Sequence, residues 1–295
     1  MSLNGTIIEL VAGDYAATLA SSGATLAALT HAGRDLVMPF DPAASLGAGY
    51  QGRTLAPWPN RISDGRYTFD GVSFEAPRNE HATAAALHGL ASFVSWDVES
   101  SASDRVTFSL DLPGTPSYPF DVRLRTQYLL DAEGGLFVLI SGTNEGPTDA
   151  PLGLSAHPYL TCGTPVDECI LGLVAERVLL VDEKMRPADL VPVEGTDYDF
   201  RTPASLDGRH VDHAFTGLPE GGWTVVLAHP EHGGVALASD APWVQAFTGD
   251  TPDLLRGGVA VEPMTCPPDG FNSDPEGARV RPGETMSLRY TIRAV

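Results

Sequence analysis

The sequence predicts an all-β protein of antiparallel strands, closed as a sandwich or a barrel. Three observations carry this. Apolar residues recur with period 2 far more often than with period 3.6. Gly (31) and Pro (24) are spread along the chain as turn punctuation. No amphipathic helix longer than a few turns interrupts the strand-like runs.

The elements follow in order. Val106, Phe108, Leu110 and Leu112 alternate with polar residues. Val122, Leu124, Thr126, Tyr128 and Leu130 do the same around Arg123, Arg125 and Gln127. Trp223, Val225 and Leu227 repeat the pattern, as do Met286, Leu288, Tyr290 and Ile292 after the turn Pro282-Gly283-Glu284. Such alternation marks strands with one face buried. Asp131–Gly135 and Glu231–Gly234 read as hairpin loops. The segment His81–Leu87 has helical propensity but is short and lies between strand-like runs, so it reads as loop. Gly257–Val261 is a short apolar run of the kind that forms a buried strand, ending at Glu262 where a Pro- and Gly-rich loop begins.

Composition bounds the function. The 295 residues show no Pro/Ser linker and no long charge run, so a single domain over residues 1–295 is expected. With 38 acidic and 18 basic residues the net charge is −20, which repels phosphate backbones and anionic lipid. Neither nucleic acid nor a membrane is an expected partner. Lys184 is the only lysine, which disfavours Schiff-base chemistry. The stretch Met1–Gly5 has no signal-peptide character and no apolar run is long enough to span a bilayer. Cys162, Cys169 and Cys266 make an odd count without a C-x-x-C pair, which fits free thiols in a cytoplasmic protein.

Five polar residues interrupt otherwise structural stretches. Glu262, with a rigid strand behind it and a loop ahead, is placed as a proton-moving group should be, although a solvated strand-end carboxylate has the same spacing. Arg61 carries a fork of donors suited to hydroxyls or a carboxylate, or to a plain surface ion pair. His88 and His157 each read singly as structural histidines; His157 precedes Pro158 and is therefore held extended. Asp212 alone reads as a loop cap, with His213 pointing the opposite way if the segment is extended. No G-x-S-x-G, P-loop or H-E-x-x-H motif is present. His88, His157 and Glu262 are formally a His₂Glu metal set, but their spacing carries no metal signature.

Taken together, five stretches resemble the aldose 1-epimerase (galactose mutarotase) family. They are Pro59-Asn60-Arg61-Ile62 with Gly65-Arg66-Tyr67, Leu87-His88-Gly89, His157-Pro158-Tyr159, Val211-Asp212-His213-Ala214-Phe215 and Glu262-Pro263-Met264-Thr265, in the family's order. The resemblance implies a large antiparallel β-sandwich with a sugar bound in an open cleft on one sheet. It implies that Glu262 is the general base and His157 the general acid. Arg61, His88 and Asp212 would hold the sugar, and no cofactor and no metal would be needed. The implied function is the interconversion of α and β anomers of a hexose. For that task Glu262 is expected to be ionised with a raised pKa, and His157 to hold its proton.

Other readings stay open. An anionic hexose, such as sulfoquinovose or a hexose 6-phosphate, would need a basic pocket, and Arg53, Arg66 and Arg78 are near in sequence. A non-catalytic sugar-binding module would keep the cleft without turnover. A hydrolase or lyase would need a longer groove with aromatic platforms, for which Trp58, Trp96, Trp223 and Trp243 are candidates. The sequence leaves the oligomeric state open between monomer and homodimer.

Overall fold

Two large antiparallel sheets, one of nine strands and one of eight, face each other in the computed structural model, which describes residues 3–295. Met1 and Ser2, part of the stretch read above for a targeting signal, lie outside the described residues. The larger sheet runs Asp97–Ser101, Arg105–Leu112, Val122–Asp131, Gly135–Asn144, Thr285–Ala294, Gly233–Ser239, Trp223–His229, Ile170–Leu173 and Ala204–Ser205. Both expected hairpins are present, at 131–135 and 229–233.

The alternation seen in the sequence becomes the two faces of this sheet. Along Val122–Asp131, Val122, Leu124, Thr126, Tyr128 and Leu130 are buried, and the residues between them are not. The inward row meets the second sheet: Thr126 and Thr54 share a hydrogen bond of 3.1 Å across the interface, and the Tyr128 hydroxyl donates to the Ala24 carbonyl. One cluster of buried apolar side chains runs from Leu10 to Ile292.

The smaller sheet carries Asp212 and Glu262. Its order is Pro187–Pro192, Arg177–Val181, Asp212–Thr216, Trp243–Phe247, Val259–Met264, Ser155–Ala156 and Thr54–Leu55, with Tyr159–Leu160 also paired to Val259–Met264. A further four-stranded sheet, Ile7–Ala12, Tyr15–Ala20, Thr25–His31 and Arg34–Asp35, adds its apolar residues to the same core. The segment at 81–84 is a turn, and Ala86–Leu87 forms a two-residue strand against Arg61–Ile62.

Three expectations are corrected here. Glu262 does not end its strand: Val259–Met264 is buried along its whole length, covered on both faces, so the apolar run continues through Pro263 and Met264. Asp212 opens a strand rather than capping a loop. Trp58, Trp96 and Trp223 are core residues, each donating its indole N–H to a backbone carbonyl, so they are not platforms of an extended groove. Among the described residues no helix is long and apolar enough to cross a membrane.

Candidate active site

Strand pairing brings the five residues together. Val259–Met264 supplies Glu262, 2% exposed. Two short strands pair with it on either side of the His157-Pro158 step, Ser155 opposite Met264 and Tyr159 opposite Ala260. The intervening His157 is thereby set beside Glu262, and its Nε2 lies 3.3 Å from Glu262 Oε1. The His157 backbone is clamped, its N–H donating to Arg53 O and its carbonyl accepting from Gly52 N at 2.9 Å. Gly52 has φ +65 and packs so closely that a Cβ would lie 1.9 Å from Leu26 O, so only glycine fits there.

Asp212 enters from the neighbouring strands. Gln245 stands opposite Glu262 in the register and donates from Nε2 to Asp212 Oδ1 at 2.6 Å. His213 turns the other way, its ring 4.4 Å from that of Tyr198. Arg61 and His88 come from the paired strands Arg61–Ile62 and Ala86–Leu87. The His88 ring meets His157 edge-on at 5.1 Å, and its backbone N–H donates to Asn60 O. Arg61 is gripped by Glu80 through two bonds, Nε to Oε2 at 2.6 Å and a terminal nitrogen to Oε1 at 2.8 Å. Thr83 donates in turn to Glu80.

Burial decides the charges. It pushes Glu262 well above the usual carboxylate range, helped by the Asp212 charge and opposed by Arg61. It pushes His157 down to about 3, opposed by a backbone hydrogen bond and helped by Arg61. His88 is also held neutral, by burial first and then by His157 and Arg61. Asp212 is raised by burial against the pull of Arg61 and Gln245. Arg61 keeps its charge because Glu80 and the neighbouring carboxylates outweigh desolvation. The expectation that His157 holds the proton is therefore corrected. Burial thus disfavours the charged pair, holding His157 neutral and raising Glu262, because two adjacent charges in a dry site cost more than their attraction returns.

Four polar atoms here are buried without a hydrogen-bond partner among the described residues: His88 Nδ1, His157 Nδ1, Gln245 Oε1 and Glu262 Oε2. Buried polar groups are seldom left unpaired. Donor atoms of His88, His157 and Glu262 lie within 4.8 Å of one another. A trough of about 860 Å³ lies on the outer face of the nine-stranded sheet, around Leu129, Phe137 and Leu139, and none of the five site residues lines it.

The sequence profile described as aldose 1-epimerase matches residues 6–293. The chain belongs to the aldose 1-epimerase family. Within that family it is 38% identical over 294 residues to the uncharacterized protein YihR of Escherichia coli K12, covering 99% of this chain and 94% of that protein. It is 28% identical over 266 residues to the galactose mutarotase of Mus musculus, covering 80% and 76% of the two chains. The crystal structure of a GalM/aldose epimerase homologue from C. elegans superposes with a TM-score of 0.89 at 23% identity, covering 98% of this chain and 99% of the other. That likeness concerns the fold.

The structure brings the five residues singled out in the sequence together on one side of the smaller sheet. Glu80 and Gln245, which hold Arg61 and Asp212, were not legible. Their partners are 19 and 33 residues away in the chain, and neither sits in a motif. Of the three nearby arginines, Arg53 is fully enclosed and bonded to Ser92 O, Leu46 O and Asn4 Oδ1, and Arg66 pairs with Glu75 on an exposed hairpin.

Proposed function

We propose that this chain is a mutarotase that interconverts the α and β anomers of a hexose by general acid–base ring opening. The observation that carries the reading is the buried Glu262–His157 pair at 3.3 Å, with unpartnered polar atoms beside a charged Arg61. The pair shares one proton, the number the reaction needs. Moving it from Glu262 to His157 gives a carboxylate base and an imidazolium acid, and Arg61 favours that carboxylate. Glu262 then takes the proton of the C1 hydroxyl while His157 protonates the ring oxygen, and the bond from C1 to that oxygen breaks. The product is the open-chain aldehyde. Rotation about C1–C2 presents its other face, and the two groups exchange roles to close the ring. Arg61, His88 and Asp212 hold the sugar hydroxyls throughout. A cytoplasmic location belongs to this reading and is supported by three buried, unpaired cysteines.

A second reading, an anionic hexose, has one observation in its favour. Arg78 is exposed, makes no ion pair among the described residues, and lies two positions from Glu80 on the segment flanking Arg61. Against it, Asp212, Glu262 and Glu80 are acidic neighbours that act on the Arg61 charge.

The test is anomer exchange, followed by polarimetry or exchange NMR on fresh α-D-glucose and α-D-galactose. Glu262→Gln and His157→Asn are each expected to lose ~10²–10⁴-fold of the acceleration while staying folded. Full activity in either variant overturns the acid–base assignment. Acceleration confined to sulfonated or 6-phosphorylated hexoses, and lost in Arg78→Ala, establishes the second reading instead.

A further inference from the structure

Tyr50 is a bulky residue in a backbone conformation that bulky residues avoid, at φ 60. Its neighbours impose that conformation. Gln51 N donates to Ala48 O at 3.0 Å and Gln51 Oε1 accepts from Ala48 N at 2.7 Å. On one side the Tyr159 hydroxyl donates to Gly49 O; on the other, Gly52 N donates to the carbonyl of His157. The strain is therefore held by the same segment that carries His157. Strained residues kept in place this way cluster at ligand sites.

The side chain faces the site. Its ring meets His88 edge-on at 4.6 Å and lies nearly parallel to His157 at 6.4 Å, 18° apart. Phe93, 52% exposed, backs it at 5.0 Å. The hydroxyl accepts a bond of 3.1 Å from Asn79 Nδ2. Its own proton has no acceptor among the described residues. Tyr67, Tyr118 and Tyr128 behave differently: each donates its hydroxyl to a backbone carbonyl and so completes its packing. Burial and the Glu80 charge keep the Tyr50 phenol protonated, so the donor persists at neutral pH.

We propose that Tyr50 is a substrate-contacting, specificity-setting residue, its ring forming the cleft wall beside His88 and His157 and its O–H donating to one hydroxyl of the bound hexose. The inference rests on the mutarotase reading and adds a contact to it. A site built to bond a substrate hydroxyl discriminates against the analogue lacking it.

The experiment compares wild type, Tyr50→Phe and Tyr50→Gly in anomer exchange on the preferred hexose and on its 2-, 3-, 4- and 6-deoxy analogues. Tyr50→Phe is expected to raise KM about tenfold on the parent sugar with kcat little changed. On one deoxy sugar, the one lacking the bonded hydroxyl, wild type and Tyr50→Phe should become equal. Tyr50→Gly relieves the backbone strain but removes the ring's packing against His88 and Phe93, so its KM should rise further than that of Tyr50→Phe. A purely structural tyrosine would leave the deoxy-sugar pattern flat. If wild type turns over hexoses and Tyr50→Phe matches it on every sugar, this proposal is overturned and the mutarotase reading survives. If wild type accelerates no sugar at all, the reading fails and takes the proposal with it.

Discussion

Gln245 stands directly opposite Glu262 across two antiparallel strands, yet its amide bonds to Asp212 instead, at 2.6 Å. Gln245 sits on the strand between those of Glu262 and Asp212, and its side chain ties that middle strand to the Asp212 carboxyl. Gln245→Leu removes the donor while keeping bulk. We expect it to raise KM about tenfold, within the ~1–3 kcal/mol that a lost buried polar partner costs. The check is steady-state kinetics on a variant shown folded by circular dichroism.

Arg61 should depend on its geometry as well as its charge. Arg61→Lys keeps the cation but cannot make the two-pronged bond to Glu80. Glu80→Gln keeps the shape and removes the charge. Both are expected to raise KM by about tenfold, or ~1.4 kcal/mol. Because both break one unit, the double variant should be little worse than either alone.

Activity should be insensitive to acid. The reactive pair needs a single proton, and it keeps that number between the depressed His157 value of about 3 and the raised Glu262 value. We expect kcat/KM to show no acidic limb from His157 above about pH 4 and to fall as pH rises through the raised Glu262 value. An acidic limb near pH 6.5 in a profile corrected for spontaneous exchange would show His157 titrating like a solvated imidazole, against its burial.

Stability should show the opposite sign. His88 and His157 are neutral when folded and take up protons when unfolded, so the unfolded state binds more protons as pH falls below about 6.5. Stability is then lost toward acid, by up to ~1.4 kcal/mol per pH unit for each histidine. Denaturant unfolding of wild type and of His88→Asn between pH 7 and 5 tests this: the variant should lose stability less steeply.

Gly52→Ala should damage both fold and site. The added methyl meets Leu26 O at 1.9 Å, and the N–H that fixes the His157 carbonyl must shift with it. We expect more than ~2 kcal/mol of destabilisation, read as a lowered denaturant midpoint.

Alternation of apolar and polar residues along Val122–Asp131 and Thr285–Ala294 was enough to determine the all-β class, because a half-buried strand writes its period directly into the chain. The five motif residues were readable for a similar reason, each standing in a short recognisable stretch. Sequence alone could not place Glu262 inside a fully buried strand, join Glu80 to Arg61 or Gln245 to Asp212, or lay Tyr50 against the two imidazoles. Those relations arise from pairing between distant strands. The same burial also works against the expected proton on His157 and raises Glu262, since desolvation is a property of the assembled site and of no residue in it.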